Sequence, residues 1–384
     1  MAVRISTDFE CGNGKNIRKI GDAHFALETE GDQAPGYNYY FCLKLTGESK
    51  KENVKLDIYA DQSLGKKDFG EDLASVLWLK REGGPWMRFI DFTVQNNNCY
   101  RMSLSIDSNE TMYLSNMLPF PYSELSLWIK TLAKKEKEFA QLHTQGKSSE
   151  GRDICRLRIS NPLSSEKEKK KILIVSGEHG IETPGLWAVR GIIEYLLTSI
   201  SYAGHIRDEY IIDIFPQVNP DGNARGKDQK NGAGVNITCD FSGASLGKLP
   251  KSEEGRLLWA WIEDNPPDIC LGFHGWICGP TCIEGDPPFE GAFMIPLSVH
   301  ESKKAKTRQA VVNDYLKWKT EALTYRSFPL KLKEDTFAYQ LALKYDTVGL
   351  YYEPNMYGGM IPCKKTGAHV LNTVVEAVES LSPI

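Results

Sequence analysis

The sequence predicts an α/β unit with a mixed, largely parallel sheet flanked by helices, preceded by an antiparallel β-sandwich. Three observations point there. At 384 residues the chain exceeds what one hydrophobic core usually serves. Before about residue 150 its apolar residues recur with period two in short segments, and after about residue 165 apolar runs alternate with longer helical patterns. The expected division is residues 1–145 for the sandwich and 146–384 for the α/β unit.

The sandwich segments are "YNYYFCLKL", "NVKLDIYA", "WMRFIDFTVQ" and "YRMSLSI", broken by Gly83, Gly84 and the run Asn96 to Asn98. Each alternates so as to cover a core with one face, and several in succession need a second sheet to cover them. One helix, about "YSELSLWIKTLAKKEKEF", closes the region. In the second half "KILIVSG" is a strand before a helix over about Pro184 to Thr198, and "YIIDIF" is a strand before a glycine-rich loop. Helical "GRLLWAWIE" precedes the strand "DICLGF", "SKKAKTRQAVVNDYLKWKTEA" is helical, "TVGLYYE" is a strand, and the helix "HVLNTVVEAVESL" ends the sequence. Strands linked by helices form sheets covered on both faces, with ligands beyond the carboxyl ends of the strands.

Composition narrows the function. A hydrophobic content of 41%, a charged content of 25% and a net charge of −4 are ordinary for a globular protein, and mixed signs throughout argue against a nucleic-acid surface. No apolar run is long enough to cross a bilayer, and Arg4 is followed by no apolar segment, so neither membrane insertion nor secretion is expected. Nine scattered cysteines do not read as a disulfide framework, which makes a reducing cytoplasm the expected compartment.

The chemistry is therefore sought just after the apolar strands. His179 and Glu182 follow "KILIVSG" on the turn into the next helix, where Thr183 can cap the helix that Pro184 begins. His274 follows "DICLGF", and Glu353 ends "TVGLYYE". Two histidines and a glutamate with an open fourth position suit a catalytic zinc, and a carboxylate at a neighbouring strand end suits a general base. The plainer alternatives are a helix-capping Glu182, a surface His179 and a Glu353 that merely opens the turn "EPN". Cys239 has two readings, a nucleophile or a small side chain in a pocket wall, and Cys278 and Cys282 near His274 could add metal ligands.

"HGIE" after one strand, "VNPDG" after the next, "FHG" later and a glutamate ending a late strand resemble the zinc carboxypeptidase family over roughly residues 150–384. "DFECGNGKNI", "NMLPFPYSEL" and "GKSSEGRDI" further resemble its cytosolic branch and that branch's bacterial relatives. The resemblance implies a zinc-dependent hydrolase that cleaves a peptide or amide bond by promoted water attack. Its ligands would be His179, Glu182 and His274, its base Glu353, and its substrate a peptide, a protein tail or a small amide. It also implies that "NPDG" contributes mainly backbone geometry at the rim of the site, and that the sandwich forms one wall of the substrate groove.

The sequence departs from the family where substrate is gripped. Aligning "GVNITCDF" with the family's Gly-Val-Asp-Leu-Asn-Arg-Asn-Phe puts Thr238 and Cys239 where an Asn-Arg pair binds the substrate's terminal carboxylate. The position of the carbonyl-polarising arginine falls on Gln229, with Arg225 four residues away. A neutral cysteine cannot replace a bidentate guanidinium. Either Arg225, Lys227 or Lys230 supplies the cation, or the substrate carries no free carboxylate at that point, as in an amide, an ester or an internal linkage. Two alternatives follow: a small-molecule N-acyl amide or ester deacylase, and an inactive binding protein that keeps the fold. The family's mobile tyrosine falls by spacing on Tyr325.

Overall fold

A computed structural model describes residues 3–32, 39–60, 76–95, 98–275, 291–295, 300, 302–322, 329–331, 333–355 and 358–381. The alternating segments form two five-stranded sheets. One runs β1 (Val3–Ser6), β4 (Cys42–Gly47), β10 (Thr111–Ser115), β6 (Leu77–Arg81) and β7 (Trp86–Phe89). The other runs β2 (Lys15–Gly21), β3 (His24–Glu28), β5 (Glu52–Tyr59), β9 (Cys99–Ile106) and β8 (Phe92–Gln95). Every pairing is antiparallel except that of β3 with β5. In β9 the alternation is plain: Tyr100, Met102, Leu104 and Ile106 are buried while Arg101 and Ser103 are exposed. Leu43, Leu45 and Leu114 of the first sheet meet Leu56, Ile58 and Tyr100 of the second in one core, as two half-covered sheets must.

The second half builds an eight-stranded sheet in the order β11 (Ala140–Lys147), β12 (Asp153–Ile159), β14 (Tyr210–Phe215), β13 (Lys170–Ser176), β15 (Ile269–Phe273), β18 (Val348–Pro354), β16 (Gly291–Ile295) and β17 (Pro329–Lys331). Its centre, β14-β13-β15-β18, is parallel, with antiparallel neighbours on both sides. Apart from Lys170 and Lys171 at the start of β13 those central strands are buried, which explains sequences that are largely apolar. The exceptions within them are Asp213 of β14, paired with Arg156 and Arg158, and Glu353 near the end of β18.

Helices cover both faces. On one, Ala188, Ile192 and Ile193 of α2 (Thr183–Leu196), Val312 of α6 (Lys303–Ala322) and Val370, Val374 and Val378 of α8 (Met360–Glu379) pack on Ile172, Ile174 and Ile212. On the other, Trp259 and Ile262 of α5 (Glu253–Asp264) and Phe337 and Leu341 of α7 (Phe337–Tyr345) pack on Leu173, Val175 and Tyr351. Two shorter helices, α3 (Ser201–Glu209) and α4 (Pro220–Ala224), flank β14. Ile129 of α1 (Tyr122–Lys135) and Ala140 of β11 also join the α/β core. The four parallel strands all end on one edge, where Glu353 stands near the end of β18 and the segments leaving the other three carry Glu178 to Glu182, Gln217 to Asn219 and His274.

Candidate metal centre

After β13 the chain turns through Gly177, at φ 69°, into 178–182 and α2. Gly180 is required here, because a Cβ on it would lie 2.3 Å from the carbonyl carbon of Gly222 and 2.4 Å from the amide of Asn223. Thr183 does not cap α2 as expected. Its hydroxyl donates instead to the carbonyl of Leu118 at 2.7 Å, and Glu182 precedes the helix without a side-chain cap bond. The Glu182 carboxylate faces inward: Oε1 is 2.7 Å from His179 Nδ1, Oε2 is 2.8 Å from His274 Nδ1, and the amide of Gly275 donates to Oε2 at 3.0 Å. Among the described residues His179, Glu182 and His274 are the one group whose ligand atoms gather, all within 4.8 Å of one another.

The electrostatics agree with convergence on one point. Burial is the largest single influence and works against a charged imidazole, yet the charge and hydrogen bonds of Glu182, joined at His274 by those of Glu178, together outweigh it and raise the pKa of both histidines, that of His274 strongly. Burial likewise works against the Glu182 anion, but His179 and His274 hold its carboxyl below the usual range. Two imidazoles and a carboxylate assembled this way fit a zinc donor set, with Nδ1 as the ligating atom of each histidine. His274 also has the outer partner such a ligand needs, since its Nε2 lies 2.8 Å from Oε2 of the buried Glu178. The Tyr351 ring lies against that of His274, centroids 4.8 Å apart and tilted by 44°, and its hydroxyl donates to Glu178 Oε1 at 3.5 Å. Nε2 of His179 is buried without a hydrogen-bond partner.

Glu353, near the end of β18, is 7% exposed. Burial and then the charge of Glu182 push its pKa up to about 8, against the opposing pull of His274 and Lys333. Glu353 thus lies within the electrostatic reach of both Glu182 and His274.

The "NPDG" turn contributes more than the backbone geometry expected of it. Asn219 accepts from the Gly222 amide at 2.8 Å and donates to the carbonyl of Glu178 at 3.1 Å. Asn223 donates to the carbonyl of Gly180 at 3.0 Å and accepts from the Tyr122 amide at 2.7 Å. Asp221 accepts from Ser148 Oγ at 2.6 Å, Ser149 Oγ at 2.9 Å and Arg152 Nη1 at 2.8 Å. These side chains lock the loop beneath His179.

The candidate cations turn elsewhere. Arg225 pairs with Glu150, its side chain 54% exposed, and Lys227 pairs with Glu30 at 3.1 Å. Gln229 is buried, and its Oε1 accepts from Asn236 Nδ2 at 3.0 Å. Thr238 is buried with its hydroxyl unpartnered, and Cys239 is half-buried beside Asp335. Burial and then Asp335 push the Cys239 thiol up to about 11, eased by Lys333, which leaves it a neutral thiol near pH 7 and weakens the nucleophile reading. Lys333 is thus the lysine whose charge reaches both Cys239 and Glu353. Its backbone is set close by: Thr336 donates twice to the Lys333 carbonyl, and the Phe241 amide donates to that of Asp335 at 2.9 Å. Tyr325, Cys278 and Cys282 lie outside the described residues.

Four residues around the centre had no sequence signal of their own. Glu178, Asp228 and Lys333 are charged residues in loops without a motif of their own, and Asp32 lies in the sandwich, almost two hundred positions from the loop amides of Gln229 and Lys230, from which it accepts at 3.2 and 2.7 Å. Only the folded chain brings them together.

Comparison with known proteins agrees with this architecture. The family model described as zinc carboxypeptidase matches residues 125–242. The chain is 23% identical over 270 residues to cytosolic carboxypeptidase 2 of Danio rerio, covering 64% of this chain and 35% of that protein. It is 24% identical over 307 residues to cytosolic carboxypeptidase 6 of Homo sapiens, covering 77% of this chain and 56% of that one. It therefore spans only about a third to a half of these relatives' lengths. The crystal structure of a metallo-carboxypeptidase from Burkholderia cenocepacia superposes with a TM-score of 0.81 at 16% identity, covering 100% of both chains, which shows a shared fold.

Proposed function

We propose, for a chain that carries a zinc carboxypeptidase domain and its fold, that it is a zinc-dependent hydrolase of peptide or amide bonds. His179, Glu182 and His274 hold the metal in this reading, and Glu353 is the general base. The observation that carries it is the convergence of two imidazoles and a carboxylate within 4.8 Å at the carboxyl edge of a parallel sheet, with a buried carboxyl in their field. Zinc, when bound, supplies Lewis acidity to a scissile carbonyl and an acidified water near neutral pH. Glu182 and the two imidazoles set the donor geometry, Glu178 fixes His274, and Glu353 takes a proton and returns it to the leaving group.

Substrate recognition differs from a guanidinium clamp on a terminal carboxylate. Thr238 and Cys239 are uncharged, Arg225 and Lys227 are engaged with glutamates, and Lys333 is an exposed cation at the edge. A substrate whose cleaved end is amidated, esterified or internal fits that polarity, and the same observation favours a small-molecule N-acyl amide or ester deacylase as the second reading. A peptide or protein tail presented in the cytoplasm is the proposed partner. The unpaired thiols of Cys11, Cys42, Cys99, Cys155, Cys270 and Cys363 support that compartment, and no helix among the described residues is long and apolar enough to cross a membrane.

The test combines metal analysis with Glu353→Gln. One zinc per chain, retained in the variant while turnover of a peptide or acyl-amide panel falls by at least about a hundredfold, is the expected result. Zinc without any turnover across the panel favours a binding protein, and no zinc after loading overturns the proposal.

A further inference from the structure

We propose that Asp228 is the outer carboxylate that orients His179 towards the metal, and that the sandwich holds it in place. The inference rests on the metal reading above. A ligating histidine gives the N–H of its other ring nitrogen to a carboxylate, carbonyl or water, which fixes its tautomer and its orientation. His274 has this partner in Glu178, 2.8 Å from Nε2. His179 uses Nδ1 towards Glu182, and its buried Nε2 is left without a partner.

Asp228 is the complementary orphan. It is 5% exposed, and neither carboxylate oxygen has a hydrogen-bond partner. An unpaired carboxylate in such a place is costly, so a donor is expected to be brought to it. Burial pushes its pKa well above the ordinary value, and the charge that most opposes this is that of His179. The backbones are already joined, since the amide of Gly180, the residue after His179, donates to the carbonyl of Asp228 at 2.7 Å. One unpartnered ring nitrogen and one unpartnered carboxylate therefore flank the same peptide contact. In this proposal the ring N–H of His179 and the Asp228 carboxylate supply each other's missing partner.

The loop that carries Asp228 is held by the sandwich. Cys11 donates its amide to the carbonyl of Ala224 at 3.0 Å, and Asn13 Nδ2 donates to that of Gly226 at 2.8 Å. Asp32 accepts from the amides of Gln229 and Lys230, the two residues that follow Asp228. The same Asn13 side chain also bonds the backbone of Glu30 in both directions, at 2.7 and 2.9 Å, so the anchors act as one set. Residues 11–32 thus set the position of a carboxylate that serves the centre, without supplying a ligand.

The experiment measures zinc affinity by competition with a chromophoric chelator, together with thermal unfolding of the metal-free proteins, for the full chain and for Asp228→Asn, Asp228→Ala and Asp32→Ala. Both Asp228 variants are expected to bind zinc about 10- to 100-fold more weakly. The metal-free Asp228→Asn protein is expected to unfold no earlier than wild type, because an unpartnered buried carboxyl has been removed. Asp32→Ala is expected to weaken zinc in the same direction by a smaller factor. Affinities of both Asp228 variants within about twofold of wild type overturn the inference, as does a lower unfolding temperature of metal-free Asp228→Asn with unchanged affinity, the mark of a merely structural residue. Wild type that binds no zinc overturns the metal reading itself, and this inference with it.

Discussion

Replacing Glu353 by Gln separates a buried, ionisable base from a carboxylate that merely opens a turn. The carboxyl is pushed from an ordinary 4.5 to about 8, by burial first and by Glu182 second. Between those values the folded protein keeps a proton that the unfolded chain has released. The contribution of Glu353 to stability is thus fully present below the unfolded value and is lost as pH rises through the folded one. At about 1.4 kcal/mol per pH unit the gap is worth up to about 5 kcal/mol, and relaxation with water entry at a buried site brings roughly half of that within reach. Glutamine keeps the shape and carries no such dependence. Metal-free wild type and variant are therefore expected to differ by a constant amount below about pH 4 and to diverge towards about pH 8.5, the variant gaining roughly 2–5 kcal/mol. Urea unfolding of chelator-treated protein at several pH values measures the divergence, and comparing the two proteins cancels the other titrating groups. Zinc loading is expected to shrink it, because a nearby dication favours the carboxylate. Parallel stability profiles for the two metal-free proteins would refute the reasoning, since Glu353 would then titrate as a solvated carboxyl.

Zinc binding is expected to release protons at neutral pH and to weaken in acid, because the raised pKa values of His179 and His274 make the metal compete with protons. Calorimetry in buffers of different ionisation enthalpy reads the release, and a buffer-independent heat would contradict it. Matched substrates with a free or amidated terminal carboxylate are expected to differ in kcat/KM by less than about tenfold, since an exposed lysine such as Lys333 contributes at most about 1 kcal/mol. A larger preference for the free acid means that a buried cation has entered the site. Gly272→Ala is expected to cost about 1–3 kcal/mol and to loosen zinc, because the new Cβ would lie 1.9 Å from Cδ1 of Tyr351, whose ring supports His274. Unchanged unfolding and unchanged zinc affinity would show that Tyr351 has room to shift.

Much of the architecture is legible in local pattern. The largely apolar runs of β13, β14, β15 and β18 are buried and pair in parallel, and the alternation of β9 puts one face into the sandwich core. Thr183 shows where local reasoning stops. Its type and position beside Pro184 suit a cap, but a carbonyl from a distant segment, that of Leu118, captures its hydroxyl. "NPDG" shows the same limit, because its buried side chains hold the neighbouring segments as well as shaping a turn.

By itself the sequence determined the fold class, the strand ends at which His179, Glu182, His274 and Glu353 stand, and the absence of an arginine at position 239. Periodicity and strand-end position are properties of neighbouring residues, so a linear reading reaches them. Only the tertiary structure decided that Arg225 and Lys227 pair with Glu150 and Glu30, that the charge of Lys333 reaches Cys239 and Glu353, and that Glu178 meets His274 while Asp228 and His179 are left as orphans. The physical reason is that a charge acts on whatever lies within a few ångströms of it, and those neighbours come from segments far apart in the chain that nothing local in the sequence pairs.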